Sequence, residues 1–382
     1  MCIRDSANIN KTYLFYVISL SVLMLSCDKI ADAMPIGDID QSSSFPDFFY
    51  GADLSYVNEM EDCGAVYFND NNIQKDVYEI FAGEGANLAR YRLWHSPDWT
   101  SYSNLRDVKK SIKRAKENGL YVLLDFHYSD TWADPNKQKI PEAWLQFVNN
   151  TTALANKLYE YTYAVLDELH KESLLPDIVQ LGNEINPMIL QEDELVWPID
   201  WTRNTTLLNS AIKAVKDFSA DSDKELETML HIAQPENGLW WFEQATQAGV
   251  IGYDWIGISY YPNWSDFSVS NIQQPLRTLI DTYNKKLMIV ETAYPFTLDY
   301  ADTQGNILGS SAILEGYPAT QQGQLNFLKT LSLEVKKAGG SGVVYWEPTW
   351  ISTSCNSAWE NATLFDFNGC LLYTSPSPRD PI

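Results

Sequence analysis

Short apolar runs alternate with longer amphipathic runs from residue 49 onward, and this alternation constrains the fold more than any other feature. Short runs rich in β-branched and aromatic residues predict strands, and runs with apolar residues every three or four positions predict the helices between them. The predicted strands cover residues 49–54, 86–94, 120–127, 177–184, 229–234, 254–261, 286–292 and 342–347. Eight such βα units predict an α/β fold, a single (β/α)8 TIM barrel over residues 49–369.

Helix boundaries and length add detail to this barrel. A helix is predicted over residues 104–118, ending before Gly119, and another over residues 152–171, ending ahead of Pro176. Neither an internal repeat nor a low-complexity linker divides residues 49–369, so one domain is expected. Its length exceeds the ~250 residues of a typical barrel of this kind, which predicts extended βα loops.

Both ends of the chain differ in character from the barrel. Residues 1–6 and 370–382 resemble translations, on opposite strands, of a sequencing-library transposon adapter, so we expect them to be foreign to the native protein. The apolar run within residues 7–27 is shorter than the about 20 residues of a membrane span and predicts a signal peptide. Its end is similar to a bacterial lipoprotein signal, which predicts lipidation of Cys27; a plain secretory signal is the alternative.

The segment after the predicted signal sets the expected location. Residues 28–48 are polar and predict a linker. No second hydrophobic run follows, so we expect an exported body that meets a membrane only through an N-terminal lipid anchor. The expected locations are the bacterial cell surface, the outer membrane or periplasm as a lipoprotein, or the medium after secretion. A monomer is expected.

Composition narrows the classes of partner. The chain carries 27 basic and 50 acidic side chains, for a formal net charge of -23. This balance argues against nucleic acid as a partner, because phosphate binding needs clustered Lys and Arg. The 13 Trp and 22 Tyr residues offer rings beyond those of a core, and such rings often serve as platforms for the flat faces of sugars.

Polar side chains recur at the carboxyl ends of the predicted strands, where the active site of such a barrel lies. Alternation places Arg90, Arg92 and Trp94 on one face of the second strand, and Asp125 and His127 on one face of the third. Charges in otherwise apolar strands need a reason, because unpaired buried charge is costly. The candidate site residues at strand ends are Asp53, Arg90, Arg92, Trp94, Asp125, His127, Asn183, Glu184, His231, Tyr260, Glu291 and Trp346.

Two carboxylates, Glu184 and Glu291, each follow an apolar strand at a position where a core would take Val or Leu. Such a pair suits glycoside hydrolysis, in which one carboxyl group protonates the departing oxygen and the other attacks the anomeric carbon. The fourth and seventh strands lie on opposite sides of the barrel mouth, so the two side chains can converge. Retention of configuration requires carboxyl groups about 5–5.5 Å apart. The alternative is that both glutamates form salt bridges with Arg90 or Arg92 for stability alone.

Eight sequence blocks resemble endo-β-1,4-galactanases of glycoside hydrolase family 53, in bacterial form. The blocks cover residues 51–55, 90–94, 125–135, 180–184, 260–262, 291–295, 345–348 and 357–361. The resemblance spans the whole of residues 49–369, and the block at 125–135 is long and specific. It implies a retaining endo-glycosidase that hydrolyses β-1,4-galactosidic linkages in galactan and type I arabinogalactan side chains of pectin, without a required cofactor.

The resemblance also implies roles for single residues. Glu184 is expected to be the acid/base and Glu291 the nucleophile, with Asn183 bonding the 2-hydroxyl of the sugar at the cleavage site. Arg92, in preference to Arg90, is expected to keep Glu291 ionised, because an adjacent cation lowers a carboxylate pKa.

Aromatic side chains are expected to complete this site. Tyr260 is expected to bond the nucleophile and Trp346 to floor the cleavage subsite. Trp94, Trp132 and His127 are expected to line neighbouring subsites. For each aromatic residue, packing in the core is an equal alternative.

Metal-ligand signals are weak. Asp125, His127 and His231 lack a close ligand spacing, so hydrogen-bonded site histidines are expected there rather than a metal centre. Some relatives bind calcium in the loop after the seventh strand, where Asp302 and Asn306 supply oxygen atoms of the type that calcium prefers.

Two cysteines follow strands that become neighbours when the barrel closes. Cys63 follows the first strand and Cys355 follows the eighth. A disulfide between them suits an oxidising compartment, and two free buried thiols are the alternative.

Two rival functions stay open at this point. One is another retaining endo-β-glycanase of the same clan, acting on mannan, xylan or a β-glucan, against which the block at 125–135 argues. The other is a non-catalytic, surface-displayed glycan-binding barrel, against which the intact Glu184 and Glu291 argue.

Overall fold

A computed structural model of the protein describes residues 45–372, and within them eight parallel strands close into a barrel. The barrel strands are β1 (Phe49–Asp53), β4 (Leu88–Leu93), β5 (Tyr121–Phe126), β6 (Ile178–Leu181), β7 (Glu227–Ala233), β8 (Trp255–Ser259), β9 (Lys286–Glu291) and β10 (Gly342–Tyr345). The first strand pairs with both β4 and β10, which closes the sheet. The predicted (β/α)8 barrel is therefore confirmed.

Eight α-helices accompany the described strands. They are α1 (Val57–Asp62), α2 (Val77–Gly83), α3 (Leu105–Glu117), α4 (Thr151–Lys171), α5 (Trp201–Ser222), α6 (Pro235–Ala248), α7 (Gln273–Tyr283) and α8 (Gln321–Ala338). The two helices predicted from their boundaries match α3 and α4 to within a residue. The Asn104 side chain caps α3 by accepting a hydrogen bond from the Asp107 backbone N–H, as this residue type does at helix starts.

The inward-facing residues of the strands change from apolar to polar along the barrel axis. In β1 they run from Phe49 through Gly51 to Asp53, and in β8 from Trp255 through Gly257 to Ser259. Phe49 and Trp255 are buried and lie 6.1 Å apart between ring centroids, so they close the amino-terminal end of the barrel. The polar inward-facing residues, such as Asp53 and Ser259, therefore lie together at the carboxyl-terminal end of the barrel.

The fourth barrel strand is shorter than predicted, because β6 ends at Leu181 rather than at residue 184. The backbone leaves the sheet through Gly182, whose φ of +93° is open to glycine and strained for other residues. A Cβ atom at this position would also lie 2.5 Å from Ile185 Cγ2. The turn places Asn183 and Glu184 at the mouth of the barrel instead of within the ladder.

Loops at the barrel mouth are long, as predicted. The first carries a two-stranded antiparallel sheet of β2 (Tyr67–Phe68) and β3 (Gln74–Lys75). A disulfide joins Cys63 to Cys355 and so links the loop after β1 to the loop after β10, which confirms the predicted pair. Three 3₁₀ turns lie at Glu142–Phe147, Ser310–Ala312 and Glu360–Ala362.

Some predictions for the chain ends fall outside the described residues. These are the adapter-like residues 1–6, the signal peptide 7–27 with Cys27, and the linker up to residue 44. In the predicted foreign segment 370–382, the Leu371 backbone N–H donates to Phe68 O at 3.0 Å, and the origin of this segment stays a prediction. Within residues 45–372, no helix combines the length and apolarity needed to cross a bilayer.

The Cys63–Cys355 disulfide closes a loop of 292 residues, so its loss is expected to destabilise the barrel. Replacing both cysteines with alanine is expected to lower the free energy of unfolding by about 2–5 kcal/mol, because the unfolded chain gains loop entropy. Thermal unfolding followed by circular dichroism checks this, with and without a reductant. The reductant should lower the Tm of the wild-type protein more than that of the double variant. Equal Tm values for the wild-type protein and the double variant in the absence of reductant would contradict the prediction.

Candidate active site

The guanidinium group of Arg90 lies at the centre of the polar cluster and contacts three carboxylates. Its terminal nitrogens lie 2.7 Å from Asp53, 2.8 Å from Asp125 and 2.7 Å from Glu291. All four side chains are buried or nearly so, which makes these strong, mutually dependent ion pairs. Burial alone lowers the pKa of Arg90, and the three carboxylates outweigh it and raise the pKa. Arg90 therefore holds a full positive charge beside Glu291.

Glu291 is the carboxylate whose charge Arg90 stabilises, and this corrects the predicted role of Arg92. The hydroxyl of Tyr261 lies 3.4 Å from the second oxygen of Glu291. Burial raises the pKa of Tyr261 well above its usual value, so this hydroxyl keeps its proton and can donate. The predicted partner Tyr260 instead donates to Phe267 O at 2.9 Å and points away from Glu291. That prediction was wrong.

Arg92 pairs with Glu347 rather than with Glu291. Its guanidinium carbon lies 4.2 Å from the ring centroid of Tyr56, 4.6 Å from that of Trp132 and 5.0 Å from that of Trp94. A cation placed over aromatic faces is stabilised by the ring quadrupoles. Arg92 therefore organises the aromatic wall of the mouth and pairs with Glu347 instead of Glu291.

Glu184 sits on the opposite side of the mouth in a different environment. Its backbone has a φ of +45°, an uncommon conformation for a non-glycine residue, which is typical of constrained functional sites. Ser259 Oγ donates to Glu184 Oε1 at 2.6 Å, and His231 Nε2 lies 2.7 Å from Ser259 Oγ. Since Ser259 donates its one hydroxyl proton to Glu184, its oxygen accepts from His231 Nε2, so the proton of a neutral ring lies on Nε2. The chain from His231 through Ser259 thus orients the Glu184 carboxyl.

The two glutamates are expected to share one proton near neutral pH. Burial raises the pKa of Glu184, and the Ser259 hydroxyl opposes that rise. Burial also raises the pKa of Glu291, with Arg90 opposing the rise and the charge of Glu184 adding to it. Two close carboxylates cannot both ionise freely, so the pair titrates as a unit. Because Arg90 contacts Glu291 directly, the negative charge settles on Glu291 and the proton on Glu184.

The remaining polar candidates support these groups. Asn183 accepts a hydrogen bond from Arg90 at 2.9 Å and donates to Ala133 O at 2.8 Å, so its amide plane is held at the mouth. His127 Nε2 lies 3.1 Å from Asp125, while its Nδ1 accepts from Trp94 Nε1 at 3.3 Å. Burial lowers the pKa of His231 well below its usual value, which keeps that ring neutral. The histidines therefore act through hydrogen bonds, as predicted.

Aromatic candidates form a continuous series across the mouth. Trp94 packs edge-on against Trp132 at 5.2 Å between centroids, and Trp132 lies 6.3 Å from Trp346. Trp346 in turn meets Trp359 at 4.6 Å. Trp94 and Trp359 are buried and serve packing, whereas Trp132 and Trp346 keep partly exposed surfaces at the mouth. The exposed pair is therefore available for a sugar ring.

The loop after β9 holds the predicted calcium ligands. The Asp302 carboxylate accepts from the backbone N–H groups of Gln304 and Ser357 at 2.6 and 2.8 Å. The side-chain amide of Asn306 is buried without a hydrogen-bond partner in the described part of the chain, so its oxygen is free to accept a cation. Oxygen atoms of this kind fit calcium, which stays a prediction for this loop. Residues 45–372 contain no group of three or more His, Cys, Asp or Glu side chains able to hold a metal.

Four residues that hydrogen-bond the candidate residues lie outside the predicted site set. They are Gln180, Ser259, Tyr261 and Glu347. Gln180 and Ser259 are polar residues in otherwise apolar strands. This pattern in the sequence would have allowed them to be predicted as site residues. Tyr261 shares the face of Ser259 by period-two alternation, whereas Tyr260 does not. The alternation along this strand therefore favours Tyr261 over Tyr260 as the tyrosine that contacts Glu291.

The mouth holds a buried carboxylate, Glu291, that is paired with Arg90, a second carboxyl group, Glu184, that contacts a hydroxyl, and partly exposed indoles. This is the arrangement that hydrolysis of a glycosidic bond requires. An ion-pair network that served stability alone would not need Glu184, which contacts neither Arg90 nor Arg92 through a hydrogen bond within the described residues.

Comparison with known proteins gives a consistent result. The model of glycosyl hydrolase family 53 matches residues 49–375. An arabinogalactan endo-beta-1,4-galactanase of Cellvibrio japonicus (strain Ueda107) is 54% identical over 327 residues, which cover 84% of this chain and 86% of that protein. The solved Ignisphaera aggregans GH53 catalytic domain is 34% identical, with a TM-score of 0.78, covering 86% of this chain and 95% of that one. A solved structure from a pair of fungal beta-1,4-galactanases is 31% identical, with a TM-score of 0.73, covering 85% and 97%.

The two arginines provide a direct test of which cation serves Glu291. Arg90→Lys is expected to lower kcat/KM at least tenfold, because a compact ammonium cannot contact three carboxylates at once. It should also move the acid limb of the pH profile of kcat/KM to higher pH, since a less stabilised Glu291 anion has a higher pKa.

Arg92→Lys is the matched control, because Arg92 contacts Glu347 and not Glu291. Its acid limb should coincide with that of the wild-type protein, whatever the change in KM. An acid limb that moves in Arg92→Lys and stays in place in Arg90→Lys would show that the assignment is reversed. Circular dichroism of both variants establishes that the profiles belong to folded protein.

Proposed function

This chain belongs to glycosyl hydrolase family 53 and is a glycoside hydrolase, and we propose that it cleaves β-1,4-galactan internally with retention of configuration. The observation that carries the proposal is the contrast between Glu291 and Glu184. Glu291 is paired with the Arg90 guanidinium at 2.7 Å, whereas the Glu184 carboxyl receives the Ser259 hydroxyl and forms no salt bridge within residues 45–372. Two carboxyl groups in such unlike surroundings take different protonation states.

The first step forms a covalent intermediate. The Glu291 carboxylate attacks the anomeric carbon while Glu184 donates its proton to the departing glycosidic oxygen, so the bond between sugars breaks as the sugar–Glu291 ester forms. Positive charge that develops on the ring is met by the anion of Glu291. The side-chain amide of Asn183 is fixed at the mouth by its hydrogen bonds to Arg90 and Ala133. In this step it hydrogen-bonds the 2-hydroxyl of the sugar at the cleavage site.

The second step returns the enzyme to its starting state. Glu184, now ionised, removes a proton from water, and the oxygen of that water attacks the anomeric carbon and displaces Glu291. Two displacements at one carbon give net retention. The relay of His231 and Ser259 holds the Glu184 carboxyl in place in both directions of proton transfer.

Sequence identity to known galactanases favours galactan over mannan, xylan and β-glucan as the substrate. The galactanase relative is 54% identical over most of both chains, and an endo-beta-1,4-galactanase of Bacillus subtilis (strain 168) is 36% identical over 317 residues. Partly exposed Trp132 and Trp346 suit the neutral face of a hexose, and the formal net charge of -23 disfavours an acidic polymer. The finer proposal is that the substrate is the galactan side chains of pectin.

We propose further that the enzyme is exported as a monomeric lipoprotein of the cell surface, outer membrane or periplasm. The sequence supports this through the signal-like residues 7–27 and the cysteine at their end. Growth with a labelled fatty acid checks the anchor: label should enter the wild-type chain and be absent from Cys27→Ser. Equal labelling of both chains would contradict lipidation at Cys27.

The activity is tested on a panel of polysaccharides. We expect reducing ends to be released from β-1,4-galactan and not from mannan, xylan or a β-glucan, with Glu291→Gln reducing the rate at least about 1,000-fold. Glu117→Gln on the exposed surface of α3 is a matched control and should retain full activity. Activity on mannan without activity on galactan would disprove the substrate, and an active Glu291→Gln would disprove the mechanism.

The role of Glu184 is separable from that of Glu291. Glu184→Ala is expected to lose most activity on galactan but to retain more on an aryl β-galactoside with an activated leaving group, which departs without a proton. If both substrates lost activity to the same extent, Glu184 would not be the general acid. If hydrolysis depends on Glu184 and Glu291, the alternative function of a non-catalytic glycan-binding barrel is also excluded.

A further inference from the structure

Two tryptophans, one in the loop after β6 and one on α6, lie exposed side by side on the surface. Trp197 is 65% exposed, the highest fraction of any tryptophan within residues 45–372, and Trp240 is 40% exposed. Their ring centroids lie 5.6 Å apart with planes inclined by 37°. Leu195 and Val196 directly precede Trp197 in the chain and are 36% and 55% exposed. Contiguous exposed apolar area of this kind marks an interaction site more often than an isolated side chain does.

These indoles differ from the other half-exposed tryptophans in their hydrogen bonds. Trp99 Nε1 donates to Asp130 O at 3.0 Å. When the Asn263 amide is oriented so that its nitrogen donates to Ser311 O, its oxygen accepts from Trp264 Nε1 at 3.0 Å. The indole N–H groups of Trp197 and Trp240 have no acceptor among residues 45–372. A ligand that rests on the two rings can therefore also accept hydrogen bonds from their edges.

The pair is held in place rather than carried on a loose loop. Arg203 donates to the backbone oxygens of Ile189 and Leu190, which anchors the start of the loop after β6. Gln191 accepts from the Val196 backbone N–H at 2.6 Å. On the helix side, the neighbouring Trp241 is buried and fixes the face of α6 that Trp240 presents. Little order therefore has to be created when a ligand binds.

The location relates the pair to the catalytic mouth. Trp197 lies in the loop between β6 and α5, and Trp240 lies in the helix that follows β7, so both follow the carboxyl ends of strands, where the active site lies. Trp240 is five residues into α6, about 7 Å along the helix axis from its start. The pair thus lies on the outer flank of the mouth, on the side of the acid/base residue.

Charge around the pair selects among ligands. Glu192, Asp193 and Glu194 precede it and are exposed, and Lys139 neutralises one of them by pairing with Asp193 at 2.5 Å. This acidic border disfavours an anionic polymer or an anionic lipid surface. A neutral polysaccharide offers apolar C–H faces to the rings and hydroxyl groups to the indole edges and carboxylates.

We propose that Trp197 and Trp240 form a secondary binding platform for the neutral galactan chain, separate from the subsites of the catalytic mouth. This inference rests on the proposed function and adds to it a second contact on the same polymer. A second contact raises the effective concentration of the chain at the mouth, so affinity for long substrates rises without a change in chemistry.

The test compares long and short substrates. In the double variant W197A/W240A, KM on long β-1,4-galactan is expected to rise about five- to tenfold, with kcat and the rate on galactotriose unchanged. Affinity electrophoresis in gels that contain galactan should show the retardation of the wild-type protein and its loss in the double variant. Ile251→Ala removes a 70% exposed apolar side chain from the loop before β8 and is the matched control, expected to behave as the wild-type protein.

Each other outcome overturns a defined part of the inference. If retardation and KM on galactan match those of Ile251→Ala, the platform does not bind galactan. If KM on galactotriose rises as much as KM on galactan, the indoles belong to the catalytic cleft. If only sedimentation changes, from dimer to monomer, the occupant is a second copy of the chain. Absence of galactan hydrolysis by the wild-type enzyme would instead disprove the proposed function, on which this inference rests.

Discussion

The contact of one buried guanidinium with three carboxylates is the constraint on which the site depends. Asp53, Asp125 and Glu291 arrive from β1, β5 and β9, strands that meet at Arg90 only when the barrel has closed. Removing one member of such a buried network leaves charge uncompensated, at a cost of about 3–5 kcal/mol. Closing the barrel and ionising Glu291 are therefore parts of one process, because the same cation, Arg90, serves both.

The division of roles between the two glutamates follows from what each one touches. Glu291 faces a cation, whereas Glu184 faces a hydroxyl group that a neutral histidine orients. Burial raises the pKa of each carboxyl group, and the direct contact of Glu291 with the Arg90 guanidinium favours the charge on Glu291. Arg92, bound to Glu347 and enclosed by aromatic rings, shapes the wall instead.

The surplus of aromatic residues separates into three uses. Trp94 and Trp359 are buried and pack the loops, while Trp132 and Trp346 present partial surfaces to the mouth. Trp197 and Trp240 lie outside both groups, exposed on the flank. Composition alone indicated that some aromatic rings bind sugar. Only the burial of each side chain distinguishes the three uses, because the sequence does not show which rings are exposed.

Local sequence alone determined the eight strands, the barrel, the two carboxylates and the neighbouring cysteines, since periodicity and strand ends are local properties. The predicted strand extended to residue 184, whereas β6 ends at Leu181 and the backbone turns at Gly182. Only tertiary structure decided that Arg90 rather than Arg92 meets Glu291. The two arginines share one face of β4 but differ in height by about 6.6 Å, and which height faces Glu291 depends on the stagger of the closed sheet. That stagger is a property of strands far apart in the chain, and no single run of residues encodes it.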